Sequence, residues 1–143
     1  MINQISLLPV LTGVMFVVVG IYNATSNVNV KRNAWVVPAV LSVVFACLSL
    51  QAVITDGPLG FWAEHTRNLW GNQIWYDLLL AGGVAWFFAA KKARSLGLRS
   101  WPWLLAVIAT GSIGLLAFVA RILYVKGVLT KTRSDESDLA RIH

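Results

Sequence analysis

Residues 73–90 read QIWYDLLLAGGVAWFFAA, and the basic stretch KKARSLGLRS follows at 91–100. The hydrocarbon core of a bilayer is about 30 Å thick, so a helix that crosses it needs about 20 predominantly apolar residues. The run is solidly apolar apart from Asp77, whereas the strands of a membrane barrel alternate apolar and polar residues. The stretch therefore predicts a helix that crosses a membrane.

The composition extends this prediction to the whole chain of 143 residues. Charged residues make up 13 % of the chain, hydrophobic residues make up 57 %, and the mean hydropathy is +0.68. A soluble domain carries about 25 % charged residues to cover its surface in water, so the composition excludes a soluble enzyme. The single cysteine, Cys47, excludes an intrachain disulfide and any cysteine-pair zinc or redox motif.

Three further apolar runs, each ending at a polar or turn-forming cluster, complete the predicted architecture. We expect an all-α integral membrane protein, a four-helix bundle, in residues 1–125. A polar C-terminal tail follows at 126–143. The four predicted spans cover residues 5–22, 35–54, 73–90 and 101–125.

The loop between the second and third spans mixes aromatic and charged residues. Because its tryptophans alternate with polar side chains, it predicts a short amphipathic helix at the membrane interface. Trp62 and Trp70 of this region, and Trp86 inside the third span, are candidates for contact with a bound lipid, quinone or pigment. For Trp86 the alternative of ordinary packing is favoured. No cofactor is predicted.

The chain carries 12 Lys and Arg against 6 Asp and Glu, for a net charge of +6. These cations flank the apolar runs, which is typical of a membrane protein and not of a nucleic-acid-binding one. The excess of cations in loops one and three predicts that both loops are cytoplasmic, in a bacterial inner membrane, with both termini on the opposite side. The cations in question are Lys31, Arg32, Lys91, Lys92, Arg94 and Arg99.

Small residues and two charges suggest how the spans pack. Helices in lipid associate through small residues that let their backbones approach, and the candidates in spans three and four are Gly82, Gly83, Ala85, Gly111 and Gly114. If spans three and four run antiparallel, Asp77 and Arg121 approach the same end of the bundle. We therefore expect them to form a structural ion pair, direct or through water.

A second hypothesis concerns the acidic and imidazole side chains near that end. Glu64 and His65, together with Asp77, could line a polar pocket beneath the interfacial helix, with Tyr76 and Tyr124 beside them. These three residues are the catalytic candidates, and nothing in their spacing selects a reaction or predicts a metal site.

Residues 68–79 (NLWGNQIWYDLL), 92–98 (KARSLGL) and 111–116 (GSIGLL) carry a resemblance to a known group. The region 41–125 resembles an uncharacterised family of small bacterial membrane proteins, a domain of unknown function, and more distantly the membrane domain implicated in neoxanthin formation in plants. The family has a proline in its last helix where this chain has Gly114-Leu115-Leu116. The resemblance implies a helical membrane fold and no particular activity.

Three classes of function remain open. The favoured one is an accessory or structural subunit of a larger photosynthetic or respiratory membrane complex, whose partners are membrane lipids and other membrane-protein subunits. The second is an isoprenoid- or carotenoid-modifying enzyme that uses the Asp77 pocket. The third is a small-molecule transporter, although the first span lacks the carboxylate typical of small multidrug transporters.

Overall fold

A computed structural model describes residues 4–25 and 33–142, which form helices and no strand. The all-α class is therefore confirmed. The chain divides into two compact units, residues 1–30 and residues 31–143. The six helices are α1 (Gln4–Thr25), α2 (Val36–Asp56), α3 (Gly60–Thr66), α4 (Leu69–Ser95), α5 (Trp101–Thr110) and α6 (Ser112–Ile142).

By length and composition, three helical segments of the described residues can cross a membrane: Val36–Asp56, Leu69–Ser95 and Ser112–Thr130. The apolar parts of α1 (Pro9–Tyr22) and of α5 are shorter. A membrane protein is thus supported, and the predicted four-helix bundle is not confirmed.

Local signals in the sequence set the boundaries of α3 and α4. The predicted amphipathic segment does form a short helix, α3, which packs on the start of α4. Asn68 then caps α4, since its side-chain oxygen accepts a hydrogen bond from the N–H of Gly71 at 2.9 Å. At the other end Gly97, with φ +72°, closes a Schellman motif in which the N–H of Leu98 donates to the carbonyl of Ala93.

The prediction that residues 101–125 form a single spanning helix is wrong. The chain breaks at Gly111, whose φ of +59° favours glycine, and α6 folds back along α5. The rings of Trp103 and Phe118 are 5.3 Å apart, whereas a straight helix would separate those residues by about 22 Å. Segment 101–125 is therefore a helical hairpin, with α5 too short to span a membrane on its own.

Close backbone contact holds the hairpin together. A Cβ placed on Gly114 would lie 2.7 Å from the carbonyl carbon and oxygen of Ala106, so only glycine fits without a shift of backbone. Further along, Phe118 is fully buried between two tryptophan rings, Trp86 of α4 and Trp103 of α5, each stacked at 5.3 Å. This stack joins α4, α5 and α6 in one core.

The hairpin also fixes the direction of α6. Because Gly114 lies against Ala106 and Phe118 against Trp103, α6 runs back toward the loop that follows α4. Against α2 it is antiparallel, with Ile113 beside Ser42 and Tyr124 beside Trp35.

No boundary appears at residue 125, where the sequence predicts that the polar tail begins. The backbone of α6 continues as helix to Ile142. The helix therefore leaves the core at the same end as the basic loop, 96–100.

We predict that Gly114→Ala lowers the free energy of unfolding by about 1–3 kcal/mol, because the added methyl group meets backbone and not a movable side chain. The matched control is Gly83→Ala, since no atom lies within 4 Å of the Cβ position there. Thermal unfolding in detergent, followed by circular dichroism, measures both. Equal melting temperatures for Gly114→Ala and the wild type would refute the close approach of α5 and α6.

Candidate functional site

An aromatic cluster forms where α3 meets the start of α4. The ring of His65 lies 5.1 Å from that of Trp75, and its Nδ1 is 2.6 Å from the carbonyl oxygen of Phe61. Trp75 also contacts the rings of Phe61 and Trp62, at 6.1 and 6.4 Å. His65 is half-buried in this cluster, so its ring helps to hold α3 on α4.

Two charged side chains near the end of α3 are paired with each other. Glu64 forms an ion pair with Arg67 at 3.5 Å, and both side chains are exposed. An exposed pair of this kind contributes about 0–1 kcal/mol. Glu64 therefore has a local partner one turn away.

Asp77 does not join the two α3 residues in a pocket. Trp75 faces α3, and two further residues along a helix turn by about 200°, so Asp77 lies on the far side of α4 from His65. Its side chain is exposed. The predicted catalytic trio of Asp77, Glu64 and His65 is thus not assembled, and no group of three potential metal ligands exists among the described residues.

Asp77 and Arg121, which we expected to form an ion pair, also lie far apart. Ile122 packs in the same core cluster as Ala93, and Ala93 is 16 residues from Asp77 on α4, or about 24 Å along the helix axis. The prediction assumed a continuous fourth span that carries Arg121 to the Asp77 end. The reversal at Gly111 carries Arg121 to the opposite end, where Tyr124 also lies.

One exposed face of α4 carries a charged residue within the apolar run. Gln73, Asp77, Ala81 and Ala85 recur every four residues and are all exposed. Asp77 has neither a hydrogen-bond nor an ion-pair partner in the part of the chain that the structure describes. This α4 face, defined by those four residues, therefore presents a carboxylate beside small residues.

The residues predicted for helix packing fall into two groups. Gly114 packs closely on the backbone of α5, whereas Gly111 has no atom within 4 Å of its Cβ position and forms the turn between α5 and α6. At Gly82 and Gly83 no atom lies within 4 Å of the place that a Cβ would take, and Ala85 is exposed. Their predicted packing role is therefore not met by contacts with the described helices.

The three tryptophans proposed as ligand contacts have different surroundings. Trp86 is half-buried against Phe118, which supports the packing alternative. Trp62 and Trp70 are exposed near the junction of α3 and α4. Sequence reasoning missed the stack around Phe118, because its three rings lie in three separate helices and no local pattern links them.

Comparison with family models, with curated proteins and with solved structures finds no match to this chain. The resemblance to a family of small bacterial membrane proteins stays a prediction.

We predict that Asp77→Asn and Arg121→Gln change stability independently. Residues this far apart with no shared partner are additive within about 0.3–0.5 kcal/mol. The measurement is a double-mutant cycle, in which the two single variants and the double variant are unfolded thermally in the same detergent. A coupling energy well above that range would show that the two side chains do interact.

Proposed function

We propose that the chain is an accessory subunit of a larger membrane complex, and that it docks through the α4 face carrying Asp77. The observation that carries this proposal is an exposed carboxylate, without a partner among the described residues, inside a helix apolar enough to cross a membrane. The complex is of the respiratory or photosynthetic kind, in a bacterial inner membrane, as the sequence predicts.

The depth of Asp77 makes its exposure costly in lipid. A core of about 30 Å counted back from Lys91 at 1.5 Å per residue begins near residue 71, which puts Asp77 about 9 Å inside. A carboxylate near the centre of a spanning helix costs about 2.5–3.5 kcal/mol, and such residues face protein or a water-filled cavity. A hydrogen-bond donor or cation on a partner helix would remove this cost.

The neighbours of Asp77 favour a helix as the partner. Ala81 and Ala85 continue the same face toward the basic end. Small residues let a second backbone approach closely, which is how helices associate in lipid.

Little of the surface of the spanning helices is buried within the chain. Only 11 % of the most apolar window of α2, and the same share of α4, is buried. Lipid can cover apolar surface, but it cannot satisfy Asp77. The site therefore calls for protein at this one face and allows lipid elsewhere.

The charge distribution supports an orientation with the basic end in the cytoplasm. Four cations lie at the end of α4 or just after it: Lys91, Lys92, Arg94 and Arg99. The acidic residues Asp56, at the end of α2, and Glu64, in α3, lie at the opposite end of the unit. The positive-inside rule assigns the first group to the cytoplasm. Since α6 leaves the core at the same end, we place its C-terminal part in the cytoplasm as well, on the opposite side from the one that a continuous fourth span predicts.

We predict that Arg99 and Thr130 are labelled from the same face of the membrane and Leu59 from the other. Each position is changed singly to cysteine in a Cys47→Ser background, and oriented vesicles are treated with a membrane-impermeant maleimide. If residues 101–125 formed one continuous span, Thr130→Cys would instead be labelled from the same side as Leu59→Cys.

We predict that Asp77→Asn abolishes recovery of partner subunits with the tagged chain, because the neutral amide cannot pair with a cation on the partner. Extraction in mild detergent, native electrophoresis and mass spectrometry identify what migrates with each variant. Asp56→Asn is the matched control, since Asp56 is also an exposed aspartate but lies at the end of α2.

The proposal fails if the wild-type chain migrates alone, or if Asp77→Asn keeps the same companions as the wild type. Asp77→Glu is expected to retain them, because it preserves the charge. Loss of partners in the Asp56→Asn control would indicate a general effect of charge and would also contradict the role of the α4 face.

A further inference from the structure

An open groove of about 440 Å³ runs between α2 and α6. From α2 it is lined by Trp35, Ala39, Ser42 and Val43, and from α6 by small residues and by Arg121 and Tyr124. Its volume lies within the range of about 300–1,000 Å³ typical of ligand sites. The groove is apolar along its length and polar at one end.

The polar end is formed by Arg121, Tyr124 and Trp35. The rings of Trp35 and Tyr124 meet edge to face at 5.7 Å, and the guanidinium carbon of Arg121 lies 5.9 Å from the centre of the Tyr124 ring. Ser42, further along the groove, donates its hydroxyl to the carbonyl of Ile113 at 2.9 Å. Arg121 is the charged donor among the groove residues.

Arg121 has no carboxylate partner among the side chains that the structure describes. The described carboxylates Asp56, Glu64 and Asp77 belong to the other end of the unit. The acidic residues of α6 begin at Asp135, which is 14 residues, or about 21 Å, further along the helix. The guanidinium, with five N–H donors in a planar fork, is exposed.

The surroundings of Arg121 add positive charge. Lys126 follows on α6, and Lys91, Lys92 and Arg94 end α4 on the side to which α6 runs. Together these cations favour an anion at the mouth of the groove. Trp and Tyr rings gather at the level of lipid headgroups, so the Trp35–Tyr124 pair indicates that the mouth lies at that level and the apolar part in the hydrocarbon.

We infer that the α2–α6 groove binds one anionic phospholipid, with its phosphate at Arg121 and one acyl chain along Ala39, Val43 and Ala117. The arginine fork matches the phosphate geometry and forms charge-assisted hydrogen bonds to it. Small side chains on both helices leave room for the acyl chain. This site is separate from the α4 face and does not depend on the proposed function.

The test is native mass spectrometry of the full chain in mild detergent, with phosphatidylglycerol and phosphatidylcholine present in equal amounts. We expect the wild type to retain one phosphatidylglycerol in preference to phosphatidylcholine. Arg121→Gln should weaken phosphatidylglycerol binding about tenfold or more, since a hydrogen bond to a charged group contributes about 1.5–3 kcal/mol. Arg99→Gln, a cation outside the groove, should stay within about twofold of the wild type because surface charges contribute little.

A second variant tests the groove without changing its charge. Val43 lines the groove and is 64 % exposed, so Val43→Trp fills the space and leaves the core intact. It should reduce retention of both lipids. Circular dichroism and the melting temperature confirm that each variant is folded.

Three results would overturn the inference. Equal losses in Arg121→Gln and Arg99→Gln would mean that the basic end attracts lipid without a site. Unchanged binding in Val43→Trp would put the lipid outside the groove. Displacement of phosphatidylglycerol by the same concentration of inorganic phosphate would show a site for phosphate alone, without a contribution from the acyl chain.

Discussion

The reversal of the chain at Gly111 is the constraint from which the rest of the 31–143 unit follows. A positive φ at that glycine turns α5 back on α6, and the missing side chain of Gly114 lets the two backbones meet. Only with this reversal can Trp103 reach Phe118, which then has Trp86 on its other side. Stacked aromatic pairs add about 0.5–1.5 kcal/mol each beyond the area they bury, so the turn and the stack support one another.

The same reversal separates the charges of the unit into two groups. Arg121 joins the cations at the end of α4, while Asp77 stays with Asp56 and Glu64 on the side of α3. Neither Asp77 nor Arg121 has an opposite charge within reach among the described side chains. A continuous fourth span would have brought them together and neutralised both. The hairpin instead holds each of them away from the opposite charges of the described side chains.

How far the sequence predicts this structure depends on whether the relevant signal is local. Polar clusters and turn residues end the apolar runs, so α2, α3 and α4 lie close to their predicted positions, and the cap at Asn68 is encoded within four residues. The break at Gly111 is different, because residues 101–125 are apolar on both sides of it and hydropathy does not report a backbone dihedral angle. The predicted Asp77–Arg121 pair depends on continuity across that point, so the break at Gly111 removes it.

The two unpaired charges differ in what can satisfy them. Arginine has a long, flexible stem that lets its head reach the interface, and the lipid proposal pairs it there with an anionic headgroup. In the proposed arrangement Asp77 lies about two turns inside the span, where lipid offers no donor to its short side chain. The two proposals therefore assign a second helix to the α4 face and a phospholipid to the α2–α6 groove, which are separate surfaces of the unit.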